Sequence, residues 1–216
     1  MHQVCDVELG ADILAANRRI AEDNTALLET HNIKAFDFLG AIGSGKTLLI
    51  EKLADILQSR GIRCAAIAGD VAGDDDYRRF SAHDMLVVNI NTGKECHLDA
   101  HMVDHALEKL DLENIDVLFI ENVGNLVCPA DFPLGSQTRI TIVSVTEGDD
   151  MVRKHPVLMG SSDILVVNKI GLAGVMEVDP NVLSRDAHRI NPHVPVVMTD
   201  AKQGKGLEDL LKVMGL

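Results

Sequence analysis

The sequence predicts an α/β fold: three layers, α/β/α, around a mostly parallel central sheet. Three observations carry that expectation. The chain has 216 residues, enough for one full α/β core. It is 46% hydrophobic but only 3% aromatic, the aliphatic composition of strands buried on both faces. Short apolar runs alternate with helical periodicities along most of its length.

Residues 1–33 read as an N-terminal segment. In it Ile13, Leu14, Ile20, Leu27 and Leu28 lie among Asn17, Arg18, Arg19, Glu22 and Glu29, an amphipathic helix expected to pack on the domain of residues 34–216. That domain opens with a buried strand, Ala35 to Leu39. After Thr47, the residues Leu48, Leu49, Leu53, Ile56 and Leu57 recur at helical spacing. Between strand and helix stands Gly40-Ala-Ile-Gly-Ser-Gly-Lys-Thr47, which fits G-x-x-x-x-G-K-[ST]. Such a turn aims backbone N–H groups and a helix N-terminus at one point, which suits an anion. Gly40, Ala41, Ile42, Gly43, Ser44 and Gly45 are expected to cradle phosphates. Lys46 should reach the β- and γ-phosphates, and the Thr47 hydroxyl should hold Mg²⁺. The predicted fold is thereby a P-loop NTPase.

Further strands are expected at 62–68, 85–89, 116–121, 139–146, 163–169 and 194–198, with helices near 97–110, 179–191 and 206–214. Asp70, at the end of the second strand, is a candidate for Mg²⁺ or its waters. Asp74, Asp75 and Asp76 follow on the next loop; they are either groups approaching the nucleotide or a solvated helix start. Glu121 ends an apolar strand three residues before Gly124, the layout of the segment that orients water or Mg²⁺ and registers the γ-phosphate. Cys128 lies four residues beyond that glycine.

The thiols are sparse: Cys5, Cys64, Cys96 and Cys128. That argues against a disulfide framework and for core or metal roles. Cys64 falls within a strand and Cys5 near the terminus. Cys96 and Cys128 each lie past the C-terminal end of a strand and are free to converge. His97, His101 and His105 follow Cys96 at helical spacing. They are either metal ligands or polar histidines on a solvated face, with His105 the plainest surface residue.

Asn168-Lys169 ends another strand, as in the base-reading element of GTPases. Two residues on, where such elements carry a guanine-reading Asp, this chain has Gly171. Glu177 and Asp179 are the candidate stand-ins. Thr199-Asp-Ala-Lys202 occupies the place where a backbone N–H meets guanine O6, giving Ala201 and Lys202 as further nucleotide contacts.

The net charge of −13 opposes nucleic acid and anionic membranes as partners. No run of about 18 apolar residues and no leader pattern is present, so a cytoplasmic protein is expected.

These segments together resemble the HypB family of nickel-insertion GTPases in [NiFe]-hydrogenase maturation, a branch shared with the urease accessory protein UreG. The resemblance spans residues 34–202 and rests on four stretches: 37–47, 91–101, 121–130 and 146–150. It implies GTP/GDP with Mg²⁺, slow switch-type hydrolysis, and a Ni²⁺ or Zn²⁺ site at Cys96, His97 and Cys128, with His101 as an added ligand. It also implies a GTP-promoted homodimer, with Lys154 near the partner's nucleotide. The accessory protein HypA and, indirectly, the hydrogenase large subunit are the implied partners. Some family members carry a Cys-rich or His-rich N-terminal nickel store; here only His2 and Cys5 stand there. The rival readings are a urease-type nickel GTPase, a small-molecule kinase with Arg185 and Arg189 as phosphate clamps, and a metal store with a vestigial loop.

Overall fold

In the computed structural model, seven strands form one sheet in the order β3-β2-β4-β1-β5-β6-β7, every pair parallel. The structure describes the backbone of residues 3–216 and the side chains of residues 12–216; His2 and the Cys5 side chain lie outside them. In chain order the elements are α1 (Gln3–Thr30), β1 (Lys34–Gly40), α2 (Lys46–Ser59), β2 (Cys64–Asp70), α3 (Asp75–Ser81), β3 (Leu86–Asn91), α4 (Ala100–Leu107) and β4 (Val117–Glu121). Then follow β5 (Thr138–Ser144), α5 (Met151–Lys154), α6 (Pro156–Gly160), β6 (Ile164–Asn168), α7 (Ala173–Met176), α8 (Pro180–Ile190), β7 (Val196–Met198) and α9 (Leu207–Val213).

The period-2 alternation of the strands splits the core into two faces. Phe36, Phe38, Ala66 and Phe119 point to the side covered by α2 and α9. Ala35, Ile67 and Ile120 point to the other, under α1 and α4 through Leu28 and Val103. On that second side Val143 and Val167 meet Val152 of α5 and Leu183 of α8. The buried residues are thus overwhelmingly aliphatic, as the composition implied.

The strand order reverses direction at β1. The chain steps outward to β2 and β3, returns through β4, and then crosses β1 to build β5, β6 and β7. A crevice opens at the carboxyl ends of the strands at such a reversal. The Gly40–Thr47 loop leaves β1 at that point.

α1 is held by polar groups as well as apolar ones. Asn17 donates to Pro133 O (2.9 Å) and accepts from Ala100 N (2.8 Å). Asn24 donates to Ala100 O and Leu134 O, both at 2.9 Å. The helix therefore grips the start of α4 and the loop that follows Cys128.

Asp37 sits in the sheet opposite Arg139 in the β1–β5 register and is 1% exposed. Asn122 donates to its Oδ1 (3.2 Å), while Arg139 Nε stands 3.6 Å from Oδ2. Burial outweighs both and pushes its pKa up to about 6 from 3.8. A carboxyl raised on folding keeps its proton longer in the native state, so stability is lost as pH rises from about 4 through about 6. The shift corresponds to about 3 kcal/mol. Asp37→Asn is expected to flatten the stability–pH profile in that window, measured by urea unfolding at pH 4.5 and 7.5. An unchanged slope would show that Asp37 ionises freely.

Candidate functional site

The loop between β1 and α2 is shaped by its glycines. Gly45 takes φ +100°, a left-handed conformation, at the start of α2. A Cβ there would lie 2.5 Å from Asn168 Nδ2, so only glycine fits. Asn168 is buried and ties two loops to the end of β6. Its Nδ2 donates to Ser44 O (3.0 Å), and its Oδ1 accepts from Thr199 Oγ1 (3.0 Å) and Ala201 N (3.2 Å). Lys169 donates to Gly43 O and to Thr146 Oγ1 (3.3 Å), laying its stem along the loop. Both side chains thus tie the Gly40–Thr47 loop to the end of β6.

At the phosphate end, Lys46 is 6% exposed and donates to Gly40 O (3.0 Å) and Ala41 O (3.4 Å). Burial lowers its pKa, with the nearby acids, Glu121 foremost, opposing. Thr47 Oγ1 donates to Glu121 Oε1 (2.9 Å), and Lys46 Nζ stands 4.0 Å from the same oxygen. Burial pushes Glu121 up to about 8, against the pull of Lys46. Glu121 Oε2 and Ser44 Oγ are buried without a hydrogen-bond partner. The orphaned Glu121 oxygen, the Thr47 hydroxyl and the folded-back Lys46 ammonium around one cavity fit a Mg²⁺-bound polyphosphate.

Asp70 and Gly124 line that cavity, together with Asp76 and Arg79. The acidic run resolves into separate roles. Asp74 pairs with Arg78 (2.9 Å), Asp75 and Asp76 occupy the first turn of α3, and only Asp76 of the three reaches the cavity wall. Arg79 is a cation that sequence reading passed over. It is held by two 2.7 Å bonds to Glu51.

The second cluster lies at the far end of the Glu121–Cys128 segment. The ligand atoms of Cys96, His97 and Cys128 all lie within 4.8 Å of one another. Cys128 opens a 3₁₀ turn with Pro129 at its first positions, and the His97 ring packs on Phe132 at 4.1 Å between centroids. The neighbouring Cys128 thiol raises the Cys96 pKa. Two thiols and an imidazole are the donor set that Zn²⁺ or Ni²⁺ takes.

His101 is not part of this cluster. α4 starts at Ala100, because Asp99 caps it by accepting from Met102 N (2.8 Å). His97 therefore lies outside the helix, and the helical spacing that linked it to His101 does not hold. His101 turns instead to His105, with Nε2 atoms 3.2 Å apart.

Two asparagines connect the clusters. Asn122 Oδ1 accepts from Leu98 N (3.0 Å), and Asn125 Nδ2 donates to Cys96 O (3.2 Å). Both stand in the segment from Glu121 to Cys128. Sequence reading missed them because their partners lie 24 and 29 residues away.

A third region, a cavity of about 600 Å³, opens beside Asn168 and Lys169 and is lined by Leu48, Gly171, Leu172 and Asp200 among others. Ala201 and Lys202 are in its wall, although the Ala201 N–H points to Asn168. Glu177 and Asp179 are not in the wall. Asp179 caps α8 through Asn181 N (2.9 Å) and pairs with Arg185 (3.5 Å). Arg189 pairs with Asp186 (2.9 Å), so both arginines named for a kinase are engaged on α8.

With this geometry in hand, comparison with known proteins is specific. The family model described as CobW/HypB/UreG, nucleotide-binding domain, matches residues 35–198. A probable hydrogenase maturation factor HypB of Methanocaldococcus jannaschii is 53% identical, over 98% of this chain and 96% of that protein. The crystal structure of the hydrogenase maturation factor HypB from Archaeoglobus fulgidus superposes with TM-score 0.86 at 44% identity, covering 93% of this chain and 98% of that one. HypB from Helicobacter pylori, solved in complex with nickel, superposes with TM-score 0.87 at 31% identity over 93% of this chain and 95% of that one.

Proposed function

The chain belongs to the CobW/HypB/UreG family of nucleotide-binding domains, and on that premise we propose that it is a nickel metallochaperone GTPase of [NiFe]-hydrogenase maturation. The observation that carries this reading is one stretch of chain, Glu121 to Cys128. It begins at the phosphate cavity and ends at the thiol cluster.

In this reading Lys46 and the N–H groups of Gly43 to Thr47 bind the β- and γ-phosphates. Thr47, Glu121 and Asp70 would hold Mg²⁺, which neutralises charge on the phosphates when bound. Gly124 packs against Ile42 of the loop, where a Cβ would lie 3.0 Å from Ile42 N, so the segment sits directly on the cradle. Movement of the segment pulls on Cys96 through Asn125 and on Leu98 through Asn122, and it carries Cys128 along the chain. Nucleotide state thereby sets how well Cys96, His97 and Cys128 meet on the cargo ion, Ni²⁺ or Zn²⁺. Hydrolysis to GDP is a slow switch.

A homodimer fits the same face. Ile42 is 86% exposed, and Val127 (65%) and Val157 (66%) flank one cleft with Lys154. Apolar side chains this exposed beside the thiol cluster suit a second copy joined when GTP is bound. HypA as direct partner, the hydrogenase large subunit as client and a cytoplasmic location complete the proposal. Among the described residues no helix is long and apolar enough to cross a membrane.

The test is Ni²⁺ affinity measured with GDP and with a non-hydrolysable GTP analogue. Coupling of ordinary size changes affinity about 5- to 150-fold; equal affinities would refute the reading. Asn125→Ala removes one connecting hydrogen bond, worth about 0.5–1.5 kcal/mol. It is expected to narrow the ratio about 2- to 10-fold with unchanged GTP affinity. An unaltered ratio would remove Asn125 from the linkage.

A further inference from the structure

We propose that Asp200 is the group that reads guanine in this chain, replacing the acid missing at position 171. The inference rests on the GTPase reading above and names the residue that gives it base selectivity.

Three observations carry it. Asp200 lines the cavity beside Asn168 and Lys169 and is 6% exposed. Its Oδ2 accepts from Gly171 N (3.1 Å). A Cβ built on Gly171 would lie 2.3 Å from that same oxygen. The Asp200 carboxylate therefore fills the space in which a side chain at 171 would begin. The glycine makes room for the acid, so the two positions act as a matched pair. An aspartate at 171 would clash with Asp200 and add a like charge.

The local frame fixes the carboxylate. Oδ1 accepts from Gln203 N (3.2 Å) as the cap of the 201–203 turn, and Oδ2 is held by Gly171 N. A carboxylate has about four acceptor positions, so each oxygen keeps one for a ligand. Guanine offers two adjacent donors, N1–H and the 2-amino group, to such a pair. Adenine presents a bare N1 acceptor there, which faces the oxygens with like polarity. A buried acceptor left unmatched is what makes such a site selective.

The experiment measures binding of the Mg²⁺ complexes of GTP, ITP, XTP and ATP to the full chain and its variants. The parent is expected to bind GTP at least about 100-fold tighter than ATP, with ITP in between because it lacks the 2-amino donor. Asp200→Asn keeps an acceptor for the turn but turns an NH₂ toward the 2-amino group. It is expected to weaken GTP about tenfold or more and to improve XTP, whose 2-oxo group accepts that NH₂. A gain for XTP is something a merely structural defect would not produce. Gly171→Asp alone should weaken GTP, and Gly171→Asp with Asp200→Ser should restore it by returning the acid to 171. An unchanged GTP/XTP ratio in Asp200→Asn, or equal GTP and ATP binding in the parent, overturns the proposal. Binding of every triphosphate with no base preference sinks this inference alone; binding of none sinks the GTPase reading as well.

Discussion

Replacing Lys46 by methionine is expected to slow GTP hydrolysis at least about 100-fold while leaving the stability of the nucleotide-free protein almost intact. The two halves of that expectation have separate causes. The ammonium is the only Lys or Arg side chain of the Gly40–Thr47 loop, and it is sequestered from water. A positive charge in such a place stabilises the charge that develops on transferred phosphoryl oxygens far more than it could in solvent. Without nucleotide the same charge is a liability, since burial lowers its pKa and its nearest acid, Glu121, is itself pushed up to about 8. Removing Lys46 takes away an attraction that lowers Glu121, so Glu121 holds its proton more firmly and can still bond Thr47. Swapping a buried charge for an apolar group of similar length is often neutral when the partner can neutralise itself. The remaining cost is the loss of donors to Gly40 O and Ala41 O, about 1–2 kcal/mol. Single-turnover hydrolysis and urea unfolding of the same preparation check both halves. Hydrolysis within about fivefold of the parent would take Lys46 out of the chemistry. A large loss of stability would instead make it a structural residue.

What the sequence disclosed about this molecule follows from how local each feature is. The Gly40–Thr47 loop is contiguous, so its residues announced both the strand before it and the helix after it. The strands were readable because both faces of the sheet are covered, which leaves near-continuous apolar runs. Asn168 was legible as a loop-ordering residue because its hydrogen bonds follow from its position at a strand end. Helix starts were less legible. The histidine spacing after Cys96 suggested one continuous face, but Asp99 capping begins α4 only at Ala100, and that moved His101 away from the thiols and onto His105. The acid in the wall of the cavity beside Asn168 and Lys169 was sought on the loop just after Gly171, among Glu177 and Asp179. It stands 29 residues on, at Asp200, brought there because β7 pairs with β6. Asn122 and Asn125 carry no motif at all; their meaning comes from which backbone groups the β4 end happens to face. Arg79 and Asp76 likewise gained a place at the phosphate cavity only through the packing of α3.

Changing Cys96 and Cys128 together to serine is expected to lower affinity for Ni²⁺ or Zn²⁺ at this site about 100-fold or more, with little effect on nucleotide binding. The thiols supply two of the three donors that lie within 4.8 Å of one another, and His97 alone cannot hold a divalent ion tightly. Neither sulfur supports the core. Cys96 is exposed and Cys128 half-buried, whereas Cys64 is buried in β2 with its thiol pushed up to about 12. Cys64→Ser is therefore the internal control. It should leave metal affinity unchanged, since Cys64 belongs to no cluster of ligand atoms among the described residues, yet cost some stability by placing a hydroxyl in an apolar cluster. The double variant also separates the two directions of the linkage. Reciprocity requires that a metal ion favoured by the triphosphate state should itself tighten the triphosphate. With the thiols gone, added Ni²⁺ should no longer change affinity for the non-hydrolysable GTP analogue, although that affinity without metal stays at the parent value. Isothermal titrations with and without Ni²⁺ read this directly. If Ni²⁺ still tightened the nucleotide in the double variant, the coupling would have to run through another site, such as the His101–His105 pair on α4. If the variant lost nucleotide binding along with metal, the Cys96–Cys128 cluster would be holding the Glu121–Cys128 segment in place rather than responding to it.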